Sequence, residues 1–395
     1  MSWPMVKLKD CCEVVGGATP KRNVASYWDG DIPWITPKDV SNLSEPYIYE
    51  APEYISKAGY KAAATYMLPV GTVLLTSRAP IGNVAIAGIE LCTNQGFKSL
   101  IPGENIYNKY LYHCIKKFVP QLELLGNGAT FKEVSKKVVE NFEIPLPPFE
   151  VQKRIADILD KADGIRQKRE KAIKLADDFL RATFLEMFGD PVENPKKLKK
   201  SPITELADVI TGFAFKSNEY INDSSEAVRL CRGANTLTGY LDWADTKFWT
   251  KNKLEKLDNY LIKTGDIILA MDRPWISSGL KVCIFPENQR ETYLVQRVAR
   301  LRPRCESYTN YIYSCIKSPA FEKHCCPTET TVPHISPVEL KNFEVLIPPD
   351  ELMVNFHSIV SIINNSLNKM ASGDIDSDAL FSKLSQQAFS GHLKR

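Results

Sequence analysis

The feature that most constrains this sequence is that much of it occurs twice. Tyr110, Tyr112, Cys114, Ile115 and Lys116 return as Tyr311, Tyr313, Cys315, Ile316 and Lys317, each 201 residues further on. At the same displacement Thr130, Ser135, Asn141, Phe142, Glu143, Pro147, Pro148 and Glu150 return as Thr331, Ser336, Asn342, Phe343, Glu344, Pro348, Pro349 and Glu351. An unbroken register of this kind predicts two copies of one architecture. Ahead of residue 92 the match loosens. There Gly17 stands against Gly212, and Gly71, Thr72, Val73, Leu74 and Leu75 stand against Gly265, Asp266, Ile267, Ile268 and Leu269, at other offsets. The fronts of the copies have diverged and changed length.

Each copy therefore has a variable front and a regular end. Short β-branched and aromatic runs punctuated by Gly and Pro, such as residues 73–76 and 282–285, predict strand-rich mixed α/β domains, with a helix near Tyr110 and another near Tyr311. After Pro147 and Pro148 the period becomes helical: Val151, Ile155, Ile158, Ala162, Ile165, Ala172, Ala176 and Phe179 step by threes and fours, with Arg169 the one polar interruption. The pattern persists to Phe188, ahead of Gly189, Asp190 and Pro191. Roughly 40 residues at 1.5 Å each make a rod about 60 Å long. The second copy places Leu352, Phe356, Ile359, Ile363, Met370, Leu380, Leu384 and Ala388 on a like stripe, with Gly373 in a polar run where a kink is expected.

Two such helices in one chain bury their stripes most simply against each other, as an antiparallel coiled coil. The expected fold class is α+β, with pseudo-twofold order: a globular domain over 1–148, a long helix over 149–190, a second globular domain over 191–349 and a second long helix over 350–395.

Composition narrows the class further. The 44% hydrophobic and 25% charged residues suit two ordinary globular cores, and no apolar stretch approaches the ~20 residues that cross a bilayer. A protein of the cytoplasm is expected. Ten cysteines without regular spacing, Cys11 beside Cys12 and Cys325 beside Cys326 among them, read as reduced thiols. A net charge of +3 neither demands nor excludes an anionic partner.

A self-contained catalytic apparatus is not recognisable. Leu146, Pro147, Pro148 and Phe149 imitate the motif with which amino-methyltransferases hold a flipped base. However, Leu146 offers no acceptor for the amine, and the second copy reads Ile347, Pro348, Pro349 and Asp350. Both read better as helix starts. The run from Gly126 to Phe131 lacks the third glycine and the preceding strand of a dinucleotide loop, so it reads as a turn; no Gly-x-x-x-x-Gly-Lys-Ser/Thr run occurs. His324, Cys325 and Cys326 fit zinc spacing poorly, and the histidines at 113, 334, 357 and 392 are scattered.

The combination of Glu143, Ile144, Pro145, Leu146, Pro147 and Pro148 with Gln152, Arg154 and Ile155, then Phe184, Leu185, Glu186, Met187, Phe188, Gly189, Asp190 and Pro191, then Ala388, Phe389, Ser390 and Gly391, resembles the specificity subunits of type I restriction-modification systems. The resemblance covers essentially the whole chain. It implies two target-recognition domains, each reading half of a split, asymmetric site on double-stranded DNA, and two long helices that separate them and dock two modification subunits. Restriction subunits join through the complex. It further implies a non-catalytic chain without cofactors of its own, S-adenosylmethionine, ATP and magnesium being carried by the partners, which methylate adenine and cleave DNA. The second copy departs from the motif at Asp350 and Met353, opposite Phe149 and Gln152.

A DNA reader of small net charge must gather cationic and amide side chains on particular loops. The candidates are Lys21, Arg22, Lys38, Arg78, Gln95, Lys98 and Lys132 in the first copy, and Arg229, Arg232, Arg273, Gln296, Arg297 and Arg300 in the second. Arginine suits guanine edges and glutamine suits adenine edges. Any one of them, taken singly, is as readily a solvated residue or half of an internal ion pair. Arg78 and Arg273 form the leading pair, each closely following a matched Gly-strand segment, and the lysines at 196, 197, 199 and 200 read as a solvated linker. The competing classes are a DNA methyltransferase or nuclease in its own right, and a structural adaptor without base readout. Diverged fronts suit two different half-sites better than they suit an adaptor.

Overall fold

The computed structural model describes residues 3–393 apart from 42, 44, 79, 128–131, 326–333 and 372–376. Thr130, Thr331, Cys326, Gly373 with its expected kink, and the glycine-rich run from residue 128 onward lie outside the described residues. The chain divides into two compact units, one comprising Met1–Glu170 with Asp374–Arg395 and the other Lys171–Gly373. Each unit thus holds one globular repeat, the start of one long helical segment and the end of the other.

In the first unit the strand Cys12–Gly16 pairs antiparallel with Lys98–Pro102, which pairs with Val73–Ser77, which pairs with Ile81–Ala87. Tyr47–Ile48 closes that edge in parallel. The run Val73–Ser77 is buried on both faces, and that explains its unbroken apolar and β-branched character. A second sheet sets Trp28–Ile35 between Glu53–Ile55 and Cys92–Thr93. The second unit repeats the plan. Ala207–Thr211, Val298–Pro303, Ile267–Ala270 and Val282–Ile284 make the first sheet, and Lys247–Thr250, Ala227–Cys231 and Thr292–Leu294 the second. The register of the repeat therefore extends to the diverged fronts.

The repeated ends are built on the same bonds. Met5–Lys7 pairs with Glu143–Pro145, and Lys199–Pro202 pairs with Glu344–Ile347. Tyr110, on the helix Asn108–Leu124, donates its hydroxyl to the Pro145 carbonyl at 2.7 Å, and Tyr311, on Thr309–Ile316, donates to Leu346 at 2.7 Å. Burial pushes both phenols far above their ordinary pKa.

The helix Phe149–Phe188 starts where the Pro148 carbonyl accepts from the amides of Val151 and Gln152. Gln152, fully buried, fixes the start: its Oε1 accepts from the Tyr107 amide at 2.8 Å while Nε2 donates to the carbonyls of Asn105 and Pro147. In the second copy Met353 is buried in the core instead, and Asp350 accepts the Tyr308 hydroxyl at 2.7 Å. The departure from the motif thus exchanges a polar clasp for an apolar one.

In the first unit Ile155, Ala156 and Leu159 share a core with Ala388 and Phe389 of the helix Ser377–Ser390; in the second, Phe184 and Phe188 pack on Phe356 of the helix Asp350–Ala371, ring centroids 5.9 and 5.4 Å away. Within each unit the start of one segment meets the end of the other, the sense of an antiparallel pair. The second long helix is described as the two segments Asp350–Ala371 and Ser377–Ser390, on either side of the run in which a kink was expected. The expected stripe is buried only in part: Ile155, Phe356 and Ala388 lie in the cores, whereas Ile165, Phe179 and Met370 are 64, 55 and 65% exposed and the neighbouring Ala156, Leu159, Phe184 and Phe188 are buried. Apolar side chains occupy a wider arc of the helix than its contacts use, so steps of three and four admit more than one line. Asp163, buried mid-helix, accepts from Arg166 at 2.8 Å and Gln167 at 2.9 Å.

Candidate nucleic-acid interface

Both units carry the same turn on the same scaffold. In the first, residues 94–97 close a turn in which the Phe97 amide donates to the Asn94 carbonyl; in the second, the Val298 amide donates to the Val295 carbonyl, 201 residues on. The exposed Gln95 and Gln296 occupy equivalent places in these turns. The matched glycines serve them. The chain leaving the first strand runs so close that a Cβ on Gly17 would stand 2.1 Å from the Asn94 carbonyl oxygen, and one on Gly212 would stand 2.2 Å from that of Val295. The next residues, Ala18 and Phe213, donate to the carbonyls of Thr93 and Leu294 at 2.9 and 3.0 Å. Only glycine fits either crossing.

Around the first turn the structure gathers several of the expected residues. Gln95 accepts from the Thr19 hydroxyl, Gly96 abuts the ring of Pro37 next to the exposed Lys38, and the Gly96 carbonyl accepts from Ser77. Ser77 leads to the half-buried Arg78, which bridges through its backbone to Glu133, beside the exposed Lys132. Trp34 donates its indole N–H to the Ala18 carbonyl at 3.1 Å, and Arg22 stacks on Trp28 at 3.9 Å while pairing with Glu53 at 2.8 Å. Lys21 is exposed beside it. Lys98 turns inward: its side chain is 11% exposed and its ammonium donates to Ser77 and Glu133.

Around the second turn Gln296, Arg297 and Arg273 are exposed. Arg273 and Arg297 both have positive φ, 45° and 67°, a conformation that non-glycine residues adopt at a cost. The Met271 amide donates to the Arg297 carbonyl at 2.9 Å, and Arg297 pairs with Asp272 at 2.7 Å. Three other candidates are committed to the fold. Arg229 stacks on Trp243 at 3.6 Å and bonds Thr292 and Gln289; burial lowers its pKa. Arg232 donates to the Asp245 carboxylate at 2.9 Å, and that bond, with one from Lys247, holds Asp245 at about 2. Arg300, only 3% exposed in its side chain, donates to Asp208 at 2.5 Å and to the Asn259 carbonyl, and burial lowers its pKa. As a DNA contact Arg300 is a correction: its guanidinium is spent tying strands together.

The strand pairing also revises the leading pair. Arg78 bridges Glu133, and its counterpart in the second unit is Asp272, which bridges His334, the residue 201 positions after Glu133. Arg273 stands one place beyond. Asp272 and His334 were missed because a carboxylate and a lone histidine attract no attention in a search for cations; the fixed displacement from Glu133 was the available signal. Among the described residues, no group of three or more His, Cys, Asp or Glu is placed to hold a metal ion, and no helix is long and apolar enough to cross a membrane.

Comparison with known proteins agrees with this architecture. The family model described as the type I restriction modification DNA specificity domain matches twice, over residues 2–175 and 195–371. The specificity subunit of the type I restriction enzyme MjaIX of Methanocaldococcus jannaschii is 29% identical over 408 residues, covering 97% of this chain and 92% of its own. That of EcoR124I/EcoR124II from Escherichia coli is 31% identical over 157 residues, 38% of each chain. The crystal structure of the type I restriction-modification S subunit from M. genitalium superposes with a TM-score of 0.62 at 13% identity, covering 98% of this chain and 96% of that one, and so shares the fold. The chain belongs to the family of type I restriction-modification specificity subunits, proteins of DNA sequence recognition.

Proposed function

We propose that each unit reads one half of a split, asymmetric site on double-stranded DNA, with the turns carrying Gln95 and Gln296 facing the bases. The observation that carries this reading is the pair of isostructural turns with unlike surroundings. One scaffold presents two different sets of side chains, as a reader of two different half-sites requires. Contact with DNA falls to the exposed residues Lys21, Lys38, Gln95 and Lys132, with Arg78, in the first unit and to Arg273, Gln296 and Arg297 in the second. Lys98, Arg229, Arg232 and Arg300 support these loops from behind.

The chain contributes no chemistry of its own in this reading. Adenine methylation and cleavage belong to two modification subunits and to restriction subunits in the cytoplasm, with S-adenosylmethionine, ATP and magnesium bound there. The exposed apolar residues of the helices, Ile173, Leu175, Phe179, Ile362 and Met370 in the second unit, supply the kind of surface a permanent partner covers. Competition binding by the assembled methyltransferase tests the reading, with duplexes randomised in one half at a time. Gln95→Ala should relax choice in one half only and Gln296→Ala in the other, by about 1 to 3 kcal/mol at the base each contacts. Equal weakening on all sequences would make these residues phosphate contacts.

A further inference from the structure

The two units carry opposite charge arrangements at one and the same place in the fold. In the first, the strand end bears the cation Arg78 and the segment crossing it bears Glu133; in the second, the strand end bears Asp272 and the crossing segment His334. The surrounding backbone is the same: Val134 donates to the Ser77 carbonyl and Ile335 to that of Met271, both at 2.9 Å. Asp272 accepts on both oxygens, from Arg297 at 2.7 Å and from His334 Nδ1 at 2.6 Å. The residues flanking it in space, Arg273 and Arg297, are both held at positive φ, a strain that persists where surrounding structure over-determines it and that clusters at ligand-contacting sites. Immediately after His334, Ser336 and Glu339 form a capping box on the helix Pro337–Asn342, which fixes where the histidine stands.

We propose that Arg297, Asp272 and His334 form a specificity-determining triad of the second unit, in which His334 Nε2 reads a base edge and Asp272 positions it. The argument rests on the half-site reading above. A carboxylate accepts and does not donate, so Nδ1 of His334 carries the proton and the tautomer is set. Nε2, with no partner among the described residues on a side chain 54% exposed, then presents a lone pair when the ring is neutral. That lone pair accepts from the exocyclic amine of adenine or cytosine. The charged groups that face the ring are Asp272 and Glu339, with Arg297 on the far oxygen of Asp272 and Lys281 in its field. The first unit has Arg78 at the strand end and Glu133 crossing it, and so has no imidazole at this place.

The test uses the specificity subunit assembled with its modification subunits and a duplex library randomised across the second half-site. The wild type should prefer an amine-bearing base, adenine or cytosine, at one position of that half-site. His334→Ala should lose the preference at that position by roughly 10- to 100-fold and leave the first half-site unchanged. His334→Asn keeps a donor toward Asp272 but has no counterpart of Nε2, so it should keep the fold and lose the same position. Asp272→Asn, which no longer fixes the tautomer of His334, should weaken the preference at that same position.

A position-independent loss of affinity in His334→Asn would overturn the proposal, as would unchanged selectivity in that variant. A parallel exchange of residues 191–349 for those of a relative separates the two readings. If the exchange rewrites one half-site while His334→Asn rewrites nothing, the triad fails and the half-site reading stands. If the exchange rewrites neither half-site, the half-site reading itself has failed.

Discussion

His113, buried on the helix Asn108–Leu124, donates from Nε2 to Asp160 at 2.7 Å, and the other oxygen of Asp160 accepts from Lys109 at 2.7 Å. The corresponding residues of the second copy, 201 positions on, are the neutral Asn310, Ser314 and Ser361. Burial works against the Asp160 carboxylate, yet the bonds from His113 and Lys109 hold its pKa below the ordinary value. A depressed carboxylate stabilises the fold above its unfolded pKa of about 4 and loses that contribution as pH falls through the folded value. The difference in denaturation midpoint between wild type and Asp160→Asn should therefore shrink from about pH 5 downward, and a gap independent of pH would show the ionic bonds to be idle. Tyr110→Phe and Tyr311→Phe each remove one buried hydrogen bond to a carbonyl, and each should cost about 1 to 3 kcal/mol, because the acceptor is left buried. Similar losses at both sites, measured by urea unfolding, are expected from the shared geometry. At this scale the sequence was informative about types and poor about partners. That Tyr110 and Tyr311 correspond could be read from the spacing, but whether Arg300 or Lys98 faces solvent depends on Asp208 and Glu133, which neither local spacing nor composition connects to them.

The long helices show where periodicity suffices and where it stops. The start at Pro148 and the end near Phe188 were legible because proline and glycine act locally. Which apolar line is buried was not, because a helix with Ile158, Ile165 and Phe179 flanking Leu159 and Phe184 satisfies steps of three and four along several lines. The energetic consequence separates them. Phe184→Ala, in the core with Phe188, Tyr311 and Phe356, should cost about 3 to 5 kcal/mol. Phe179→Asp, on a side chain 55% exposed, should leave thermal unfolding nearly unchanged and instead weaken co-purification with the modification subunit. Loss of the fold in Phe179→Asp would return that residue to the internal seam. In the globular repeats, the correspondence of Arg78 with Asp272 follows from the offset that aligns Gly71 with Gly265, and the strand register agrees with it.

For the molecule as a whole, the proposed reading, with a small net charge of +3, predicts weak binding by the chain alone. Salt titrations should then give a steeper dependence of log affinity on log salt for the proposed assembly with modification subunits than for the isolated chain, and equal slopes would count against phosphate contacts shared with those partners. The repeat order and the two long helices were anticipated by the sequence, whereas the strand order and the partners of the candidate side chains were not. That division follows because loop side chains meet partners far along the chain, whereas the repeated ends are fixed by local signals. The most direct measurement of the central claim is the methylated sequence in DNA exposed to the complex before and after residues 191–349 are exchanged for those of a relative with a known target. A hybrid target, one half unchanged and the other that of the donor, is the predicted result; an unchanged target, or a change in both halves, would contradict the assignment of one half-site to each unit.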